Sequence, residues 1–177
     1  MLVNQTFEEV SCVILIGERT MKTEMIRAII FDWGRTLYDS ESQALFPQTK
    51  NVLQILSRQY ILAIVSLASD GNIERRQQAL QTYDIKKYFT SIHFAQNGKD
   101  RLYTIALSTL ALPPQEVAIV DDRVIRGIRW GNIHGAMTIW VKQGKFMHEE
   151  PNDETGMPTY TIRNLEEICS FPLLSVR

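Results

Sequence analysis

The sequence predicts an α/β domain in three layers, a parallel sheet with helices on both of its faces. Two observations carry that expectation. Apolar runs of strand length recur along the chain, and the stretches between them show apolar residues at helical spacing. Strands that alternate with helices are joined by right-handed crossovers, which sets the strands parallel and the helices over the faces. The chain has 177 residues, enough for one full core and short for two. A single domain over residues 26–177 is therefore expected. Residues 1–25 are set apart as an N-terminal extension, because Met21 and Met25 precede the first convincing strand.

The elements follow in order. Ile26, Ala28, Ile29, Ile30 and Phe31 form a nearly continuous apolar segment, the pattern of a strand covered on both faces. Residues 47–59 put Val52, Ile55 and Leu56 on one helical face, ahead of a strand at 61–65. A helix at 72–83 uses Ile73, Leu80 and Tyr83 and leads to a strand at 91–94. The next helix, at 99–112, is apolar at Leu102, Ala106 and Leu110, and strands at 117–120 and 136–141 follow. Residues 147–158 are polar and rich in Pro, Glu and Asp, which reads as a surface loop before a last short strand at 160–162 and a last helix.

Bulk properties narrow the function classes. A net charge of -1, with 45% hydrophobic and 22% charged residues, provides no field for nucleic acid or anionic lipid. Cys12 and Cys169 lie at opposite ends of the chain with no ligand spacing, so neither a disulfide framework nor a zinc site is expected, and a reducing cytoplasm is the default. The apolar stretch at 12–16 is too short to span a membrane and follows Glu8 and Glu9, where a secretory signal would be basic. His93, His134 and His148 share no metal-site spacing and are expected to be structural.

In a parallel sheet the carboxyl ends of the strands gather at one edge, where open α/β sheets build their ligand sites. Four polar clusters fall there. Asp32 ends the first apolar run and passes at once into Gly34, Arg35 and Thr36. Ser66 ends the next long strand, where a hydroxyl and the N–H groups of the following turn make a small anion cradle. Lys99 opens a helix and adds its ammonium to the positive helix N-terminus. Asp121 and Asp122 end another strand and could hold a cation together with Asp32. Each has a plainer alternative: a loop-capping Asp32, a turn serine, a solvated lysine, an acidic helix start. Taken jointly, a carboxylate, a hydroxyl, an ammonium and a carboxylate pair at successive strand ends are what phosphoryl transfer to an aspartate requires.

From about Ile26 to Ile168 the sequence resembles the haloacid dehalogenase (HAD)-like superfamily of hydrolases, most of them Mg²⁺-dependent phosphatases with a Rossmann-like core. "FDWGRTL" is similar to the family's first motif, D-x-D-x-T-L; Ser66 to the second, Lys99 to the third, and "VDDRVIRGIRWGNIHG" to the fourth, G-D-x-x-x-x-D followed by a small-residue helix. The resemblance implies Asp32 as the nucleophile that forms an aspartyl-phosphate. It implies Ser66 and Lys99 as holders of the phosphoryl oxygens and Thr36 as a support of the first loop. Mg²⁺ would be bound by Asp32, the Gly34 carbonyl and Asp122, with Asp121 nearby.

Two departures stand out. Gly34 occupies the position where phosphatases of the family carry the general acid/base aspartate, whose proton transfer is worth roughly 10²–10⁴ in rate. Gly127 stands where a second acidic residue of the fourth motif is common. Asp32 and Ser66 are only 34 positions apart, too few for the cap domain that members acting on small molecules insert. The resemblance thus implies a capless domain, open to water, suited to a phosphate on a macromolecule or closed by a partner subunit in an oligomer. Arg35, Arg123 and Arg126 cluster around the first and fourth motifs, with Arg129 continuing the run. Arg35 and Arg123 are candidates for reading an anionic substrate, against the alternative of a solvated face paired with acids. Trp33 either packs under a loop or meets substrate.

Three function classes remain: a Mg²⁺-dependent phosphatase or phosphotransferase of low or specialised activity; a phospho-ligand-binding or regulatory module that has lost the chemistry; and a dehalogenase- or phosphonatase-type hydrolase, whose family members also lack the second aspartate.

Overall fold

The computed structural model of the protein describes residues 13–16, 19–170 and 173–176. In chain order the elements are β1 (Val13–Ile16), β2 (Arg19–Met25), β3 (Ala28–Phe31), β4 (Tyr38–Asp39), β5 (Ala44–Leu45), α1 (Thr49–Leu56), β6 (Ile61–Leu67), α2 (Ile73–Thr82), β7 (Phe89–Ala95), α3 (Lys99–Leu110), β8 (Val117–Asp121), α4 (Arg129–His134), β9 (Met137–Val141), β10 (Tyr160–Ile162) and β11 (Leu174–Val176). A single π turn over Val124–Ile128 leads into α4, and a 3₁₀ helix over Leu165–Ser170 takes the place of the expected last helix.

Six strands form one all-parallel sheet in the order β10-β9-β8-β3-β6-β7. Within this sheet the chain starts at β3, builds outward through β6 and β7, then returns to lay β8 on the other side of β3. The switch point of the sheet therefore falls between β3 and β8, where doubly wound folds bind their ligands.

Period-two alternation divides the strand side chains between two cores. Ile29 and Phe31 of β3, with Leu62, Ile64, Ala118 and Val120, join a core that takes in Val52, Leu53 and Leu56 of α1 and Leu80 of α2. Ala28 and Ile30, with Ala63, Val65, Val117 and Ile119, join a second core against Leu102, Tyr103, Ala106 and Leu110 of α3 and Trp130. β3 is buried at all four positions, which explains its continuous apolar run. The three-layer expectation holds, with corrections of detail. The first helix presents Val52, Leu53 and Leu56, while Ile55 is 37% exposed.

β1, β2 and β11 make a separate antiparallel sheet in the order β1-β2-β11, so part of the N-terminal extension pairs with the C-terminal strand. Cys12 lies outside the described residues; Cys169 is a free, exposed thiol. Between Asp32 and Ser66 stand only the hairpin β4–β5 and α1, which leaves the edge without a cap. No helix among the described residues is long and apolar enough to cross a membrane.

One glycine fixes how α4 seats on the sheet. A Cβ on Gly131 would fall 2.4 Å from Thr138 Cγ2 of β9. Thr138 has no freedom to rotate away, because its hydroxyl donates to Asn132 Oδ1 at 2.9 Å and accepts from the Thr159 N–H at 3.0 Å. Alanine normally improves a helix interior by about 1 kcal/mol over glycine; here overpacking, typically about 1–3 kcal/mol, outweighs it. Gly131→Ala is expected to lower the denaturation midpoint in urea, and Thr138→Ser, which removes the colliding methyl and keeps the hydroxyl, is expected to restore it in the double variant.

Candidate active site

Parallel pairing brings the site together. Phe31 and Val120 are register partners on β3 and β8, so the next residues, Asp32 and Asp121, stand side by side, and the Asp32 N–H donates to the Val120 carbonyl at 2.8 Å. Ser66, near the carboxyl end of β6, lies on the other side of Asp32. Lys99, the first residue of α3, reaches across from the neighbouring layer. All four residues and Asp122 are buried, Asp32 at 7% exposure being the most open of them. The structure therefore gathers Asp32, Ser66, Lys99, Asp121 and Asp122 at one point.

The contacts distribute the charge unevenly. Lys99 Nζ donates to Asp32 Oδ1 and, at 2.6 Å, to Asp121 Oδ2. Burial alone would lower the Lys99 pKa, but Asp121 and Asp32 outweigh it and hold the ammonium well above its ordinary value. Asp121 is fully engaged: Oδ2 also accepts from the Tyr103 hydroxyl at 3.3 Å, and Oδ1 accepts from the Arg123 N–H at 2.8 Å. Burial pushes the Asp32 pKa up against the opposing pull of Lys99. Asp122 differs. Its Oδ2 is buried with no hydrogen-bond partner, and burial together with Asp32 and Asp121 pushes its pKa up to about 8.

Three carboxylates with ligand atoms within 4.8 Å of one another share one ammonium. A buried carboxylate oxygen without a partner is costly, and a hard cation with oxygen ligands relieves both the orphan and the surplus negative charge. The donor set therefore fits a divalent metal, with Asp32 and Asp122 as the carboxylates able to turn an oxygen toward it. Asp121 belongs to the same cluster, with its oxygens also serving Lys99, Tyr103 and the Arg123 N–H.

The two glycines have different physical reasons. At Gly34 φ is ordinary, and the nearest atom to an added Cβ is Ser40 Oγ at 3.5 Å, so the position has room for a side chain. At Gly127 an added Cβ would lie 2.2 Å from Asp121 Oδ2 and 2.7 Å from Asp121 Cβ, a collision that no rotamer avoids. Gly127 is the clearance that lets Asp121 reach Lys99.

The remaining candidates separate. Thr36 is buried with its hydroxyl unpaired; the first loop is held instead by the Trp33 carbonyl, which accepts from Leu37 and Tyr38 at 3.0 and 2.9 Å. Trp33 packs under the β4–β5 hairpin, stacked on Tyr38 at 5.1 Å between ring centroids. Arg35 has φ +64, its carbonyl accepts from Gln143 Nε2 at 2.8 Å, and its guanidinium lies 4.8 Å from the centre of the Phe146 ring. Arg123 lies over the same ring at 3.7 Å and is bound through Nε to Glu149, which also accepts from the Val124 N–H at 2.7 Å. Arg123 is thus committed to the loop after β9, which is more than the plain surface loop expected there. Arg129 pairs with Asp100 at 3.2 Å, as a solvated helix face would. His134 Nδ1 lies 2.8 Å from the Trp130 carbonyl and His93 pairs with Ser91; neither belongs to the carboxylate cluster.

Tyr103 and Glu149 were not visible as site residues in the sequence. Tyr103 had a signal, since it follows Lys99 by four positions on α3 and must share its face. Glu149 had none, because its partner lies 26 positions away across a loop.

A family model described as HAD-hydrolase-like matches residues 97–168, the segment that carries Lys99, β8, Asp121 and Asp122. The glyceraldehyde 3-phosphate phosphatase of Methanopyrus kandleri is 28% identical over 68 residues, which is 38% of this chain and 29% of that protein. The match thus spans under a third of that relative's length. The magnesium-bound HAD-hydrolase YfnB of Bacillus subtilis superposes with a TM-score of 0.58 at 21% identity, covering 72% of this chain and 55% of that one. A 2-haloacid dehalogenase from Pseudomonas syringae gives a TM-score of 0.64 at 15% identity, covering 82% and 97%. At such identities the structural likeness is one of fold. Residues 97–168, which hold the third and fourth strand-end clusters, thus match the HAD-hydrolase-like family, and the chain has the fold of haloacid dehalogenase-like hydrolases.

Proposed function

We propose that the protein is a phosphoric monoester hydrolase that works through an aspartyl-phosphate on Asp32, with Mg²⁺ as cofactor and with a rate limited by the missing proton carrier at position 34. The observation that carries this reading is the buried Lys99 ammonium bridging Asp32 and Asp121 beside the unpaired Asp122 oxygen. The likeness of part of the chain to a phosphatase supports it.

Ser66 and the turn after β6 stand to receive phosphoryl oxygens, and Lys99 supplies positive charge beside them. An Asp32 carboxylate oxygen attacks phosphorus, the ester P–O bond breaks, and the departing alkoxide must gain a proton. Water then attacks the phosphorus of the acyl phosphate, the bond to Asp32 breaks, and orthophosphate leaves with the Asp32 carboxylate restored. Mg²⁺ held by Asp32, Asp122 and the Gly34 carbonyl would supply charge neutralisation on the phosphoryl oxygens. No carboxylate at position 34 is there to give the first proton or take the second, so both pass directly to and from water. The uncapped mouth suits a phosphate carried on a macromolecule or closure by a partner subunit.

A second reading, a dehalogenase-type hydrolase, draws on Gly34 alone; halide release from a 2-haloacid in metal-free buffer would replace the first reading with it.

With p-nitrophenyl phosphate and Mg²⁺, Asp32→Asn is expected to fall to background, and chelation of the metal to lower wild-type turnover. No turnover on any phosphate, with Asp32→Asn indistinguishable from wild type, would leave only a phospho-ligand-binding module.

Gly34→Asp tests the missing proton carrier. The site has room for it, and turnover is expected to rise on an aryl phosphate through the restored base, and by a larger factor, about 10²-fold or more, on an alkyl phosphate, whose leaving group also needs a proton. Equal gains on both would mean that hydrolysis of phosphorylated Asp32 limits both substrates, and no gain on either would contradict the missing proton carrier as the limit.

A further inference from the structure

A cleft opens beside the phosphoryl site between the β4–β5 hairpin and the start of α2, lined among others by Trp33, Tyr38, Ser40, Asp70, Arg75 and Arg76. The first loop joins it to the site. Trp33 is the chain neighbour of Asp32, and Ser40 Oγ stands 3.5 Å from where a side chain on Gly34 would begin. The stacked rings of Trp33 and Tyr38 contribute an apolar wall.

The two arginines of α2 are not equivalent. Arg76 Nη1 lies 2.7 Å from Asp70 Oδ1 and also donates to the Asn72 carbonyl at 3.2 Å. Although partial burial opposes it, the hydrogen bonds from Arg76 and Asn72 lower the Asp70 pKa to about 2, so the Arg76 charge is balanced within the fold. Arg75 donates instead to the side-chain oxygen of Gln43, a neutral amide at the tip of the hairpin where the backbone is left-handed at φ +58. Among the described residues no carboxylate forms an ion pair with Arg75. A guanidinium fork held by an amide exchanges it readily for a carboxylate or phosphate, because the charge-assisted bond is about twice as strong.

We propose that this cleft is a subsite for a second anionic group on the substrate itself, a carboxylate or phosphate read by Arg75, with the carbon chain between the two groups lying against Trp33 and Tyr38. The proposal rests on the reading of Asp32 as the phosphoryl site and adds a substrate class to it, phosphate esters that carry a further negative charge. The competing account of Arg75 is a staple that ties the hairpin to α2 through Gln43.

Phosphonates test this without turnover, since their C–P bond is not the ester bond the site cleaves. Binding of 3-phosphonopropionate and its longer homologues is compared with binding of ethylphosphonate by calorimetry on the full chain with Mg²⁺. At least one carboxylate-bearing ligand is expected to bind about fivefold tighter, the scale of an ion pair open to water. Arg75→Gln is expected to remove that preference and Arg75→Lys to keep part of it. Gln43→Ala, which removes the staple and keeps the cation, is expected to retain it. Equal binding across the series, or loss of the preference in Gln43→Ala to the same degree as in Arg75→Gln, overturns the subsite alone. Binding of neither class overturns the phosphoryl-site reading and the subsite with it.

Discussion

The placement of one buried ammonium between two carboxylates organises this molecule. Lys99 bonds Asp32 and Asp121, and the three come from β3, α3 and β8, elements far apart in the chain that meet only because the sheet reverses its order at β3. Removing one partner of such a buried group typically costs about 3–5 kcal/mol, so the cluster ties the layers together as well as defining the site. Its demands spread outward. Gly127 must lack a side chain so that Asp121 can approach, and the Tyr103 hydroxyl and Arg123 N–H must take the remaining lone pairs of Asp121.

The same arithmetic makes the site receptive. One ammonium offsets one of three clustered carboxylates, and the Asp122 oxygen is left without a partner. A site whose own groups were all satisfied would have little to offer a cation or a phosphoryl group. The orphaned oxygen and the open edge of the uncapped sheet point to one place, while the cleft toward α2 gives the rest of a substrate somewhere to lie.

Much of this was legible in the sequence because it is local. A strand that ends in Asp32, another that ends near Ser66, a helix that begins at Lys99 and a strand that ends in Asp121 each announce themselves within a few residues, and the parallel sheet then assembles them. What depends on contacts between distant segments was not legible. Spacing put Ile55 on the buried face of α1, but packing took Leu53 instead and left Ile55 outward. Gly127 reads as a lost acid in the sequence and as a clearance for Asp121 in the fold. Arg123 reads as an anion reader or as an arginine paired with acids, and the acid that takes it, Glu149, lies across a loop. The pairing of β11 with β2 joins the two ends of the chain and has no local signature.

The central claim is that Asp32 is a nucleophile whose phosphorylated form lacks an efficient means of hydrolysis. Such an intermediate should build up during turnover. Rapid acid quenching of the protein with a phosphate ester and Mg²⁺, followed by peptide mass spectrometry, measures this directly. The account expects one phosphoryl group on the peptide that carries Asp32, located to that side chain by its conversion to homoserine on borohydride reduction. Turnover with no phosphoryl group on Asp32, or with the group on another residue, would contradict it.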